Sequence, residues 1–367
     1  VAEPRLDPET LAMLTPAEIE AAGRERLDEM AREYIAGGAA RESTLRRNVE
    51  AWDERKLKPR VMRDVSALDT RITLFGRAHS MPILVAPTGY HRLYHPEGEC
   101  ETARGAAAAG STLVVSSVAN TPLDEVAHAT AAPKWYQIYC QRDRGWTREQ
   151  VRIAEDSGYE AFVLTVDTPV LGPRDRERRV RFHLPEGLQM SNFPPMAGGY
   201  GPNQHHDPHA IFNPYLDPTL TWKDLEWLRS ITRLPVLVKG VIAAEDAVLA
   251  IGHGAAGVVV SNHGGRNLDT VPATAEALPP VVEAVAGRVP VLVDGGIRRG
   301  SDVAKALALG ATAVLVGRAP LWGLAAAGAA GVARVLELLH LELQVTMALL
   351  GVRSIEELGP EIFWNGR

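Results

Sequence analysis

Gly257-Val258-Val259-Val260-Ser261-Asn262-His263-Gly264-Gly265-Arg266-Asn267-Leu268-Asp269 is the stretch on which the reading of this chain turns. Gly257 to Val260 is short, β-branched and apolar at every position, so it reads as a buried strand. The residues after it then sit at the C-terminal end of that strand, in a loop loosened by Gly264 and Gly265. His263 and Arg266 can converge there on one small molecule. An imidazole accepts a proton near neutral pH, and a guanidinium grips a carboxylate through two parallel hydrogen bonds. The pairing suits chemistry on a carboxylic acid whose neighbouring carbon loses a proton or a hydride. A single loop histidine or arginine is more often a surface or capping group, so the rest of the chain must supply partners that converge with them.

Working outward, the same kind of run recurs. Ile83–Val85, Leu113–Val115, Trp135–Ile138, Ala161–Thr165, Val236–Lys239, Gly257–Ser261, Val291–Val293 and Ala313–Val316 make eight, and most are followed by a helical segment. Strands apolar throughout point to a parallel sheet covered on its faces. Eight such units predict an α/β fold, a closed TIM (β/α)8 barrel. The alternative, a doubly wound open sheet, lacks its Gly-rich fingerprint after the first strand. The chain is read as a single domain over 1–367, with an N-terminal helical segment (1–80), the barrel (81–340) and a C-terminal helical tail (341–367). Thr15-Pro16-Ala17-Glu18 has the form of a helix start, and Gly37-Gly38 should end a second helix. Asn48 to Arg63 reads as a charged connection.

About seventy residues separate the fourth run from the fifth, far more than a βα loop needs. Leu184 to Pro218, rich in Pro, Gly, Asn and His, is expected to form a lid over the barrel mouth, an insertion at about 180–220. Its His205-His206-Asp207-Pro208-His209 cluster reads as a solvated loop, and no metal is expected.

The 367 residues are 46% apolar and 23% charged, as in a soluble protein with a large core. A formal charge of -6 argues against nucleic acid as a partner. Cys100 and Cys140 make no metal spacing and suit a reducing compartment. With a polar start, Val1-Ala2-Glu3-Pro4-Arg5, a cytoplasmic location is expected. Leu321 to Leu339 is the most apolar stretch near the C-terminus, but its glycines, Arg334 and Glu337 mark a buried or amphipathic helix, not a membrane span.

In such a barrel, chemistry gathers at the C-terminal ends of the strands. The last two loops there carry Asp294-Gly295-Gly296, Arg298 and Gly317-Arg318, glycines and arginines where barrels of this kind hold a phosphate. Thr88, Ser116, Gln137, Thr165 and Ser261 supply neutral hydrogen-bonding groups suited to the rim of a flat heterocycle. Lys239 ends an apolar strand and needs an anionic partner. A ring that becomes an anion on reduction, such as a flavin, or a neighbouring carboxylate would each serve.

Ser261-Asn262-His263-Gly264-Gly265-Arg266, Val293-Asp294-Gly295-Gly296-Ile297-Arg298 and Val316-Gly317-Arg318 together resemble the FMN-dependent α-hydroxy acid oxidase and dehydrogenase family. Glu33-Tyr34-Ile35-Ala36-Gly37-Gly38-Ala39 and His95-Pro96-Glu97-Gly98-Glu99 add to the likeness, which runs over nearly the whole chain. The resemblance implies FMN as cofactor, and it implies roles. His263 would be the base, with Asp167 supporting its protonated form. Arg174 and Arg266 would clamp the substrate carboxylate, joined by the Tyr34 hydroxyl. Tyr139 would bond the substrate hydroxyl. Lys239 would stand beside the flavin. Pro87, Thr88, Gly89, Ser116, Gln137, Thr165 and Ser261 would contact the ring and ribityl chain. Asp294, Gly295, Gly296, Arg298, Gly317 and Arg318 would hold the ribityl hydroxyls and phosphate.

Gly89 stands where short-chain oxidases of this family have Ala, and Val118 where the plant glycolate enzymes have a bulky aromatic. Both should enlarge the pocket, so an aromatic (S)-2-hydroxy acid of the mandelate or 4-hydroxymandelate type is expected, with O2 reduced to hydrogen peroxide. An acceptor-dependent dehydrogenase or monooxygenase of the same family is the alternative, and a non-redox phosphate-binding barrel is the alternative outside it. The polar, Pro-rich lid argues against a membrane anchor. The family implies a homo-oligomer, tetramer or octamer.

Overall fold

Strands of three to six residues, too short to stand alone, are stable here because each is paired with a neighbour. In the computed structural model, which describes residues 12–193, 211–212 and 216–364, eight of them close into a parallel barrel in the order β10-β3-β4-β5-β6-β7-β8-β9. They are β3 (Ile83–Val85), β4 (Leu113–Val115), β5 (Lys134–Ile138), β6 (Phe162–Thr165), β7 (Val236–Val241), β8 (Gly257–Val260), β9 (Val291–Val293) and β10 (Ala313–Val316). The expected runs are these strands. Closure is made where Val314 pairs with Ile83 and Val316 with Val85.

Alternation along each strand divides the core in two. Leu84, Val114, Val163, Leu237, Val259, Leu292 and Leu315 pack inside the barrel. Their neighbours Ile83, Val85, Leu164, Val238, Val258 and Val293 pack outward, in the cluster that includes the helices. This is why the strands read as apolar throughout. A hairpin not foreseen from the sequence, β1 (Ile72–Leu74) and β2 (Arg77–His79), adds Leu74 to the interior layer. Its Phe75 ring lies 5.7 Å from that of Trp135, at the start of β5.

The N-terminal segment forms three helices. Thr15 caps Pro16–Arg26 through a capping box with Glu18. Asp28 caps Glu29–Ala36, and Gly37 ends it. The third, Ser43–Glu54, corrects the expectation of a charged connection from Asn48. Thr44, Asn48, Ala51 and Trp52 fall on one helical face and are buried. Between them stand the charges that made the segment read as solvated. Trp52 Nε1 donates to the Gly295 carbonyl at 2.9 Å, so this helix braces the loop after β9.

The last helix, Arg318–Leu350, departs from helical geometry at Ala327 and Gly328. It is long and apolar enough to cross a membrane, but 72% of its most apolar window is buried within the protein. Of the long insertion between β6 and β7, a short helix Asp175–Arg179 and a stretch to Phe193 are described. Phe182, Leu184, Met190 and Phe193 form an apolar cluster with Tyr90, against Tyr34, Val118 and Tyr139. The His205–His209 cluster and most of the expected lid lie outside the described residues. Among the described residues no group of three His, Cys, Asp or Glu side chains is placed to hold a metal ion.

Candidate active site

The C-terminal ends of the strands surround a cavity of about 280 Å³. Every residue singled out from the sequence lines it except Asp167 and Ser261. Ser261, expected to touch a ring, is fully buried behind the wall. Its hydroxyl accepts from Lys239 Nζ at 3.0 Å and from the His263 backbone N–H at 3.1 Å. It positions two groups that do face the cavity. Asp167 stands one layer back, behind His263.

His263 sits just past β8 with a left-handed backbone (φ 56°), unusual for a residue with a Cβ. That conformation directs its ring into the cavity. Nδ1 lies 2.9 Å from Asp167 Oδ1, which places the proton on Nδ1 and leaves Nε2 free to act as a base. Thr168 Oγ1 also donates to Asp167 Oδ1, at 3.0 Å, and Asn267 Nδ2 donates to Thr168 Oγ1 and to the Asp167 carbonyl, both at 2.8 Å. Burial pushes His263 below the ordinary imidazole range, against the opposing pull of Asp167. The resting ring is therefore neutral. Burial works against the Asp167 charge, but His263, Lys239 and Thr168 outweigh it and hold its carboxyl below the usual value. A charged Asp167 would stabilise the imidazolium if His263 took a proton.

Beside the histidine stand two guanidiniums. Arg266 Nη1 donates to the carbonyls of Tyr34 (2.7 Å) and Gly37 (3.0 Å), and its charge lies 4.7 Å from the centre of the Tyr34 ring. Arg174 Nε donates to the Arg266 carbonyl at 3.3 Å. Both share Glu177, whose Oε1 is 2.8 Å from Arg266 and 3.5 Å from Arg174. Burial raises the Tyr34 and Tyr139 phenols, so both stay protonated donors.

The loops after β9 and β10 are built differently. Lys239 Nζ pairs with Asp294 Oδ2 at 3.1 Å, the carboxylate partner allowed for from the sequence, while still lining the cavity. Burial alone would lower the lysine, but Asp294 and Asp167 prevail and raise it, so it stays charged. Arg318 donates to the carbonyls of Ile35, Gly37 and Gly264, and Arg298 to that of Ile297. Neither forms an ion pair among the described residues. Burial, with Arg266 and Arg298 nearby, pushes Arg318 well below the guanidinium range. A guanidinium does not deprotonate in practice, so the shift marks a buried cation in want of an anion. Gly295 and Gly296 have φ of 96° and 81°, and a Cβ on Gly296 would run into the Asn48 carbonyl, so the backbone there admits only glycine. Gln137 Nε2, Thr165 Oγ1 and Asp294 Oδ1 are buried with no hydrogen-bond partner among the described residues. Unpaired polar atoms beside two uncompensated arginines fit a phosphorylated heterocycle such as FMN.

Some functional groups escaped the sequence reading. Asn48 and Asn262 exchange side-chain amide bonds (2.9 and 2.8 Å), and Asn262 Oδ1 also accepts from Gly265 N. Asp269 accepts from Thr44 N at 2.8 Å. These bonds tie the His263 loop to the helix Ser43–Glu54 across more than two hundred residues, so no local spacing announces them. The charged run Arg174–Arg179 did contain Glu177, but pairing could not be told from solvation. The expectation that Gly89 and Val118 each enlarge the pocket is refined, because Val118 Cγ2 lies only 2.6 Å from where a Gly89 Cβ would stand. The two positions share one space.

Comparison with known proteins agrees with this geometry. A sequence family described as FMN-dependent dehydrogenase matches residues 23–365. The chain is 46% identical to glycolate oxidase of Spinacia oleracea over 342 residues, 93% of each chain. It is 44% identical to L-lactate oxidase of a Nostoc species over 347 residues, 93% of this chain and 95% of that one. Among solved structures, a mandelate oxidase with (S)-4-hydroxymandelic acid superposes with a TM-score of 0.89 at 42% identity, covering 94% of this chain and 97% of that one.

Proposed function

This chain belongs to the FMN-dependent dehydrogenase family, among its 2-hydroxy acid oxidases, and from that premise we propose that it oxidises an aromatic (S)-2-hydroxy acid, mandelate or 4-hydroxymandelate, to the 2-keto acid, with O2 reduced to hydrogen peroxide. The observation that carries the aromatic preference is the wall adjoining the clamp. Tyr34 and Phe182 stack at 4.5 Å, Tyr90 is 5.3 Å from Tyr34, and Val118 sits against Gly89. Such a wall offers an aryl ring far more contact than a hydrogen or a methyl group would use.

The geometry supports the following roles. Arg174 and Arg266 bind the substrate carboxylate, with the Tyr34 hydroxyl as a third donor, and this orients the α-carbon toward His263. Tyr139, held protonated, donates to the substrate hydroxyl or keto oxygen. His263 Nε2 takes the substrate proton, and Asp167 holds the resulting charge. Gln137, Thr165, Ser116 and Thr88 would meet the heterocycle of FMN, and Arg298, Arg318, Gly295 and Gly296 its phosphate end. When bound, the cofactor supplies the two-electron acceptor. Lys239, charged and fixed by Asp294 and Ser261, would favour negative charge on the ring side of the site.

The test is colour. The purified protein should be yellow, should bleach anaerobically with (S)-mandelate faster than with glycolate or L-lactate, and should consume oxygen with stoichiometric peroxide on re-aeration. Faster bleaching by glycolate would overturn the aromatic preference. Bleaching that only an artificial acceptor reverses would point to a dehydrogenase.

A further inference from the structure

We propose that Glu177 is a specificity-determining residue that tunes the carboxylate clamp to acids bearing a single negative charge. The inference rests on the reading of Arg174 and Arg266 as that clamp. Glu177 Oε1 is 2.8 Å from Arg266 Nη2 and 3.5 Å from Arg174 Nη1. Only 11–14% of each of the three side chains is exposed, so solvent screens their charges weakly. Glu177 also lines the cavity itself.

The clamp is thus two cations and one anion, a net charge of one. A monocarboxylate brings it to neutrality. A ligand with a second carboxylate brings an extra negative charge to a wall whose third member is already a carboxylate. The surrounding charges do not balance it: Lys239 is paired with Asp294, and Asp167 with His263, while Arg298 and Arg318, which line the same cavity, would be neutralised by the FMN phosphate in the holoenzyme. Arg178 stands at the cavity wall, but more than half of its side chain is exposed and it lies 3.7 Å from Asp175. Rejection by an unpaired like charge discriminates between ligands in a way that attraction alone does not. A mere brace for the two arginines would instead affect all carboxylates alike.

The experiment uses the FMN holoenzyme and two inert probes that differ by one carboxylate, 2-phenylpropanoate and 2-phenylsuccinate. Binding is read from the perturbation of flavin absorbance, without turnover. The wild type should prefer the monoanion by at least about tenfold, Glu177→Gln should shrink that preference by about tenfold, and Glu177→Asp, which keeps the charge, should retain it. Equal weakening of both probes in Glu177→Gln would overturn the proposal. If that variant does not fold, the wild type still decides. Its affinity for 2-phenylsuccinate, relative to 2-phenylpropanoate, should rise about tenfold as the second carboxyl of the probe protonates between about pH 7 and about pH 5. A flat ratio would overturn the proposal. Wild-type bleaching by (S)-mandelate is measured in the same series. If the flavin bleaches but the probe ratios do not respond, the specificity role fails and the clamp stands. If 2-phenylpropanoate leaves the wild-type flavin unperturbed, the clamp falls, and the proposal with it.

Discussion

Arg174 and Arg266 share a carboxylate, whereas Arg298 and Arg318, in the next loops of the same barrel mouth, meet only backbone carbonyls among the described residues. The residue type is the same and the burial similar, but the electrostatic demand differs. A half-neutralised pair binds a further anion moderately and can release it, as a turning-over substrate and product require. An uncompensated pair binds a polyanion tightly and keeps it, as a resident cofactor requires. On the proposed assignment, the difference teaches that what surrounds a guanidinium, more than its presence, decides whether it would hold a passing ligand or a permanent one.

The most severe test of that separation is His263→Ala. It should slow anaerobic bleaching by at least about 10³-fold while the bound FMN content stays unchanged. Loss of colour as well would mean that the exchanging and resident halves are not separable. Next, Arg318→Leu should weaken FMN retention by about 10²-fold, measured by flavin fluorescence on dilution, and leave KM for mandelate nearly unchanged once FMN is saturating. A large KM change would break the division from the other side. Asn48→Leu should destabilise the fold by about 1–3 kcal/mol and lower kcat about tenfold, because the amide pair that holds the catalytic loop is lost. Its effect on FMN content should be smaller than that of Arg318→Leu. Val118→Trp should lower the mandelate-to-glycolate ratio of kcat/KM by about tenfold, through lost space alone.

The smallest effect concerns pH. Burial lowers His263 despite Asp167. As the proposed base the group would act only when unprotonated, so kcat/KM should fall as pH drops through a midpoint below the ordinary imidazole value of about 6.5. A midpoint above that value would show that Asp167, not burial, sets the ring.

Much of the barrel was legible because it is local. Each strand is a short apolar run followed by a helix, and the period of the pattern betrays burial on both faces. The His263–Arg266 loop and the two Gly/Arg loops were legible for the same reason, since a strand end fixes where a side chain stands. Ser261 marks where that reading stops, because proximity to a strand end does not say which of two alternating faces the residue takes, and only the fold shows its hydroxyl against Lys239 and the His263 backbone. Asn48 was missed because a buried amide amid Arg47, Glu50, Asp53 and Glu54 looks like one more solvated residue.

From the sequence alone came the architecture, the edge of the barrel where chemistry gathers, and many of the side chains that could supply it, because periodicity and loop composition are carried by neighbours in the chain; Tyr34 and Arg174 were reached only through the family resemblance. Only the tertiary structure decided which charges neutralise one another. Glu177 with Arg266, Lys239 with Asp294, and Asn48 with Asn262 are contacts between distant segments. A side chain's charge is written in the chain, but its effective field depends on what folding brings within a few ångströms of it and on how much water folding removes.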